Sequence, residues 1–212
     1  VQTLGARRVD VEQFHAAPPG GPLELPASLR LPLGVRVDRL DIGRLRIGPP
    51  GAPRSYGALT AELAYTQERY TLKARATTPW ASVSLDGTLS DSAPYALNAA
   101  LQAHLAGADP PASTSLQARG SLREVRLTGS LHAGAATAEL DARLTPFDAT
   151  PIAQARLHST RLDPALFDKN LPHAALDIAL DLGPSSAERL QGRISLRNAL
   201  PGPIDQNRLP LR

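Results

Sequence analysis

The sequence predicts an all-β chain, an antiparallel meander with one apolar and one polar face, and three observations carry that prediction. Apolar and polar side chains alternate with a period of two along most of the 212 residues, as in Tyr95, Leu97, Ala99, Leu101, Ala103 and Leu105, with Asn98, Gln102 and His104 between them. That period puts successive side chains on opposite faces of a strand. Short Pro, Gly and Asp turns separate the alternating stretches at the spacing of a meander, and only one stretch, near 163–170, carries helix signals. Strung together, such strands make one long apolar surface, and what covers it is the functional question.

Residues 1–34 read as an irregular Pro/Gly-rich leading segment, in which Val9 and Val11 hint at a strand before Pro18, Pro19, Gly20, Gly21, Pro22 and Pro26 prevent continuous pairing. Residues 35–212 read as a repeated-strand unit. The beat starts at Val35 and Val37, moves to even positions at Leu40 and Ile42, and returns to odd ones at Leu45 and Ile47. Gly43 sits at the second change of phase, where a bulge would re-aim the strand. After a turn at Pro49–Pro53, Leu59–Tyr65 and Tyr70–Ala76 form a hairpin closed by Gln67, Glu68 and Arg69. Ala81–Leu89 and Tyr95–Leu105 follow, then Leu116–Leu122, Val125–Ala133 and Ala136–Leu144, with turns at Ser90–Pro94, Gly107–Pro111, Arg123–Glu124 and Gly134.

Beyond the loop Thr145–Pro151 come Ala153, Ala155 and Leu157, then a break, then Leu176–Leu182 and Leu190–Leu196. The break holds the helix signal: Asp163 can cap and Pro164 suits a first helical position ahead of Ala165, Leu166 and Phe167. Pro172 keeps that helix short, and its expected role is to pack a local lid on the sheet.

Composition narrows the function classes. Apolar residues are 42% of the chain, but aromatics are only 4%, so the inner face is tiled with Leu, Ala and Gly rather than the bulkier residues usual in strands. Cys and Met are absent, which excludes a disulfide framework and a thiolate metal site. The chain starts at Val1 and reads as a fragment or processed piece; it has no apolar run of the roughly 20 residues that cross a bilayer, so any membrane anchor is expected outside it. The net charge of +3 is carried almost wholly by Arg, Lys73 and Lys169 being the only lysines, and acidic residues are interspersed throughout. Without aromatic platforms this pattern argues against a nucleic-acid partner.

Motifs for catalysis are missing. His15, His104, His132, His158 and His173 show no helical metal spacing, and His104, His132 and His158 fall on the polar phase of strands. No nucleophile elbow, phosphate loop or dinucleotide fingerprint occurs. The carboxylate pairs Asp38 with Asp41 and Asp177 with Asp181 read as solubilising charge, and the single tryptophan, Trp80, reads as an anchor at a strand entrance. The expectation is a non-enzyme with no catalytic residue, metal or cofactor.

Several segments resemble one family. Leu33-Gly-Val-Arg-Val-Asp-Arg-Leu-Asp-Ile-Gly43, the unit from Leu89 to Asn98, the Asp163-Pro to Leu171-Pro element and the Asn198-Ala-Leu-Pro-Gly-Pro-Ile-Asp205 ending with its tail to Leu211 are similar to the TamB proteins of Gram-negative envelopes, relatives of the AsmA-like group. The resemblance covers roughly residues 30 to 212. It implies a curled sheet, the β-taco, open along one side as a U-shaped groove with an apolar concave face. It also implies a periplasmic body anchored in the inner membrane by a segment not present in this chain, and an Omp85-family (TamA-like) outer-membrane partner reached through the full-length protein. Outer-membrane protein assembly and phospholipid transfer between the membranes are the implied roles.

The residues agree with that picture at one point. A β-sandwich fills its interior with bulky side chains, whereas an inner face of Leu, Ala and Gly leaves room of acyl-chain width if the sheet stays curled and open. The lipid-lining set is then Leu59, Leu63, Leu72, Val83, Leu85, Leu97, Leu101, Leu116, Leu127, Leu131, Leu140, Leu144, Leu157, Leu176, Ile178, Leu180, Ile194 and Leu196. Phospholipid acyl chains are the expected occupants. Two alternatives stay open: a scaffold that adds strands of client outer-membrane proteins to its edges, and an ordinary closed sandwich or barrel with no cargo.

Overall fold

The computed structural model describes residues 4–6, 9–12, 24–43, 45–48, 54–78, 80–107, 110–166, 170–186 and 189–211. They form β1 (Leu4–Ala6), β2 (Val9–Glu12), β3 (Val35–Ile42), β4 (Leu45–Gly48), β5 (Arg54–Tyr56), β6 (Leu59–Thr66), β7 (Arg69–Thr77) and β8 (Ala81–Ser90). They continue with β9 (Ala96–Leu105), β10 (Ala112–Ser121), β11 (Val125–Ala133), β12 (Ala136–Leu144), β13 (Ile152–Leu162), β14 (Leu176–Ser186) and β15 (Arg189–Asn198). The main sheet has the order β1-β3-β6-β7-β8-β9-β10-β11-β12-β13-β14-β15, while β2, β4 and β5 make a small separate sheet.

Within the main sheet every pairing from β3 to β15 is antiparallel, and from β6 onward each strand pairs with the next in sequence. At the usual spacing these eleven strands span about 48 Å measured along the sheet. The sheet is not closed: β1 and β15 stand at opposite ends of the order. The closed-barrel alternative is therefore excluded.

The changes of phase near Gly43 resolve into two different devices. The bulge falls earlier, between Val37 and Leu40, where the register of β3 against β6 shifts. At Gly43 the chain instead leaves the main sheet, and Leu45 and Ile47 belong to β4 in the small one. The leading segment contributes β1, parallel to β3, and β2, parallel to β4, whereas residues 24–34 form no strand. The Pro49–Pro53 and Pro18–Pro22 turns, His15 and Pro79 lie outside the described residues.

The helix expected over 163–170 is a single 3-10 turn, Pro164–Leu166, followed by residues outside the description. Asp163 caps it as anticipated, its Oδ1 accepting from the backbone N–H of Ala165 at 3.1 Å. A second 3-10 turn, Ile204–Gln206, follows β15. β13 also runs past Leu157 to Leu162, because the strand continues with the polar Ser159 at an apolar-face position before Arg161 breaks the register in left-handed conformation (φ 53°). Alternation ends there in sequence although pairing does not.

Candidate functional site

Registered pairing assembles the alternating residues into rows that run across the strands. One row reads Leu40, Ala61, Ala74, Leu85, Leu101, Leu116, Gly129, Leu140, Leu157, Leu180 and Ile194 from β3 to β15. A second, one step along the strands, reads Val37, Leu63, Leu72, Gly87, Ala99, Ala118, Leu127, Ala142, Ala155, Leu182 and Gly192. A third contains Leu59, Val83, Leu131, Ile178 and Leu196, and a fourth Leu97 and Leu144. Strand pairing thus places all the expected lining residues on one face, Leu176 joining it at the start of β14.

This face is shielded more than its opposite but not covered. Of the expected lining set only Leu176 is buried; Leu63, Leu196 and Ile194 are exposed, Ile194 by 70%, and the others are half-buried. In β9 the apolar positions 97, 99, 101, 103 and 105 are half-buried or buried while every intervening position is exposed.

The relief of the face comes from Leu beside Gly. A Cβ on Gly129 would lie 2.4 Å from Leu116 Cδ2, and one on Gly192 would lie 2.3 Å from Leu182 Cδ2. In each pair the leucine leans across its partner strand into the space the glycine leaves open. Sequence reasoning finds both residues but not their adjacency, which depends on register.

Burial concentrates at the two margins formed by the strand ends. At one margin, residues 26–30 are latched to the β6–β7 and β8–β9 turns. The Tyr95 hydroxyl donates to the Pro26 carbonyl at 2.7 Å, that of Tyr70 donates to the Leu29 carbonyl, and the Leu29 N–H donates to the Asp91 carbonyl at 3.0 Å. Asp91 is fully shielded there; its Oδ2 accepts from the Tyr65 hydroxyl at 2.5 Å and lies 3.4 Å from Arg30 Nε. The Tyr65 hydrogen bond, with Ser92 and Arg30 adding to it, holds the Asp91 carboxyl below its ordinary range against the opposing effect of burial. Tyr95, read above as the start of a strand, belongs instead to the turn, in left-handed conformation and buried.

At the other margin the connection from β13 to β14 and the tail after β15 fold together. Ala112, Ala133 and Ala136 pack there against Leu105 and Leu166. Burial raises the Asp163 carboxyl, but hydrogen bonds from His173 (Nδ1 to Oδ2, 2.8 Å) and from the N–H groups of Ala165 and Ala174 outweigh it and hold the group below its ordinary range. The buried Asn198 clamps the tail: its Oδ1 accepts from Ala175 N and Leu200 N, each at 3.0 Å, and its Nδ2 donates to the Leu209 carbonyl at 2.9 Å. Asn198, noted in sequence only as part of an ending that carries a family resemblance, has here a local mechanical role.

The opposite face carries charge. Arg126 grips Asp141 with two hydrogen bonds, at 2.7 and 3.2 Å, and Arg156 lies 3.3 Å from Asp181. The carboxylate pairs noted in sequence do not act as pairs: Asp38 and Asp41 are each held by an arginine at 2.6 Å, and Asp177 accepts from the Arg161 N–H at 2.9 Å. His104, His132 and His158 are exposed. Among the described residues no group of three or more metal-ligating side chains occurs, and no helix is long and apolar enough to cross a membrane.

No family model matches the chain, and no curated protein or solved structure matches it either.

Proposed function

We propose that this chain is a non-enzymatic, TamB-like segment whose apolar face carries phospholipid acyl chains between inner and outer membranes and so supports outer-membrane protein assembly. The observation that supports this reading is the Leu85–Leu101–Leu116 row and its neighbours: registered apolar side chains across eleven strands, most of them left half-buried or exposed. An apolar surface of that extent on a protein marks a binding surface. Acyl chains suit it because they need no hydrogen-bond partners and each buried methylene contributes about 0.8 kcal/mol. The resemblance supplies the remainder, a periplasmic location, an inner-membrane anchor elsewhere and an Omp85-family partner.

Mass spectrometry of natively purified protein tests the reading. Co-purifying phospholipid is expected, lost in Leu101→Glu and Leu127→Glu variants that keep the β-sheet circular dichroism of the parent. Lipid-free parent protein overturns it.

A second reading is favoured by β15, whose apolar Ile194 and Leu196 are exposed at the sheet edge. A client strand could add there. Crosslinks from β15 to unfolded barrel segments, abolished by Ser195→Pro, support that reading.

A further inference from the structure

At the margin where Leu166 packs on the alanines of the apolar face, the described residues line an open-sided cavity of about 1010 Å³. This is at the upper end of the roughly 300–1,000 Å³ of ligand pockets. Its floor is made of small side chains, Ala81, Ala103, Ala133 and Ala136, and its roof includes Leu166 and Ala174. Trp80, 57% exposed, stands on the wall.

Three charged or titratable residues line this wall among the described residues: Arg161, Asp163 and His173. Two of them are committed to each other. Asp163 Oδ2 meets His173 Nδ1 at 2.8 Å, and its Oδ1 accepts from Ala165 N at 3.1 Å and Ala174 N at 3.2 Å. Arg161 is different. Its backbone N–H is satisfied by Asp177, but its guanidinium pairs with no carboxylate among the described residues, and the residue is exposed. Among the described residues the cavity thus combines an apolar floor of low relief with one uncommitted cation.

We infer that this cavity binds a single acyl chain whose anionic end, a carboxylate or a phosphate, sits at Arg161. The inference rests on the lipid-carrying reading of the apolar face and adds a defined station at one margin of it. A floor of alanine methyls offers no hydrogen bonds, which favours hydrocarbon over a polar or peptide ligand. Each methylene added to a bound chain is expected to tighten binding about four-fold. A guanidinium presents paired donors that fit the oxygens of carboxylate and phosphate alike.

Trp80 is the only tryptophan of the chain, so its fluorescence reports on the cavity wall. The probes are brominated palmitate, brominated lysophosphatidylglycerol and a neutral brominated monoacylglycerol. Saturable quenching of Trp80 by either anionic probe is expected, the stronger of the two naming the source of the anionic end. Arg161→Glu is expected to weaken both anionic probes about ten-fold and to leave the neutral one unchanged, with Arg161→Gln intermediate. Absence of saturable quenching, or anionic affinities unmoved in both Arg161 variants, overturns the inference.

A second reporter separates this outcome from failure of the general reading. In the double variant Trp80→Phe with Leu101→Trp, fluorescence reports from the middle of the apolar face. Quenching there with none at Trp80 removes the cavity site and leaves lipid carriage intact. Quenching at Trp80 alone keeps the site and removes carriage.

Discussion

The Tyr65 hydroxyl donates to Asp91 Oδ2 across 2.5 Å, joining the end of β6 to the turn between β8 and β9 over the intervening β7. Asp91 has no exposed surface, and Arg30 from the preceding coil is its nearby cation. The pair therefore titrates as part of the fold rather than as surface charge.

Asp91 lies below its ordinary value of 3.8, chiefly through the Tyr65 hydrogen bond, so its contribution to stability is complete above that value and is lost as pH falls through the lowered one. Tyr65 lies above its ordinary value of 10.0, first through Asp91 and then through burial, so its contribution is complete below that value and is lost as pH rises through the raised one. Thermal melting across pH 2 to 12 should give a plateau with losses at both ends. Asp91→Asn should lower the plateau and weaken both dependences; an unchanged acid limb would show that Asp141 and Asp163, whose carboxyls are also lowered, carry it instead.

Gly129→Ala should destabilise the protein by about 1 kcal/mol, because the new methyl meets Leu116 Cδ2 at 2.4 Å and the Ser115 carbonyl at 3.2 Å. In a Leu116→Ala background the same change should become stabilising by about 0.5 kcal/mol, since alanine then replaces a flexible glycine without the leucine clash. Urea unfolding of the four proteins reads the reversal of sign directly.

Asn198→Ala should cost about 2–3 kcal/mol, since it leaves the N–H groups of Ala175 and Leu200 and the carbonyl of Leu209 without their side-chain partner. Hydrogen exchange should then show faster protection loss over residues 199–211 than over β9 or β10. Uniform loss across the sheet would contradict a local clamp.

Gln67 and Glu68 both hold positive φ, 51° and 62°, in the two-residue turn between β6 and β7. This is a type I′ geometry that Asn and Gly tolerate better than Gln. Gln67→Asn and Gln67→Gly should each raise stability by about 0.5–1 kcal/mol, read as a higher urea midpoint. Glu68 is left in place in both, preserving its contact with Arg30.

Alternation made β6 to β12 legible because one face is consistently apolar and one-residue slips would invert it. The pattern failed where that logic lapses: Ser159 occupies an apolar-face position in β13, so the strand outruns its signal, and the β3 bulge precedes Gly43. The latch at Asp91 was hidden because an Asp between Ser90 and Ser92 has the composition of a solvated turn. Its burial comes from residues 26–30, more than sixty positions away. Of the candidate face, membership could be read from phase, whereas the Leu116–Gly129 fit and the alanine-floored cavity require knowing which strands are neighbours and at what offset.

Pairing of each strand with its sequence neighbours, from β6 to β15, makes the sheet's span a heritable variable. A hairpin inserted or deleted in this run changes the reach of the sheet by about 10 Å while each remaining strand still pairs with a neighbour. The sheet can also form progressively from one end, each new strand finding its template already in place.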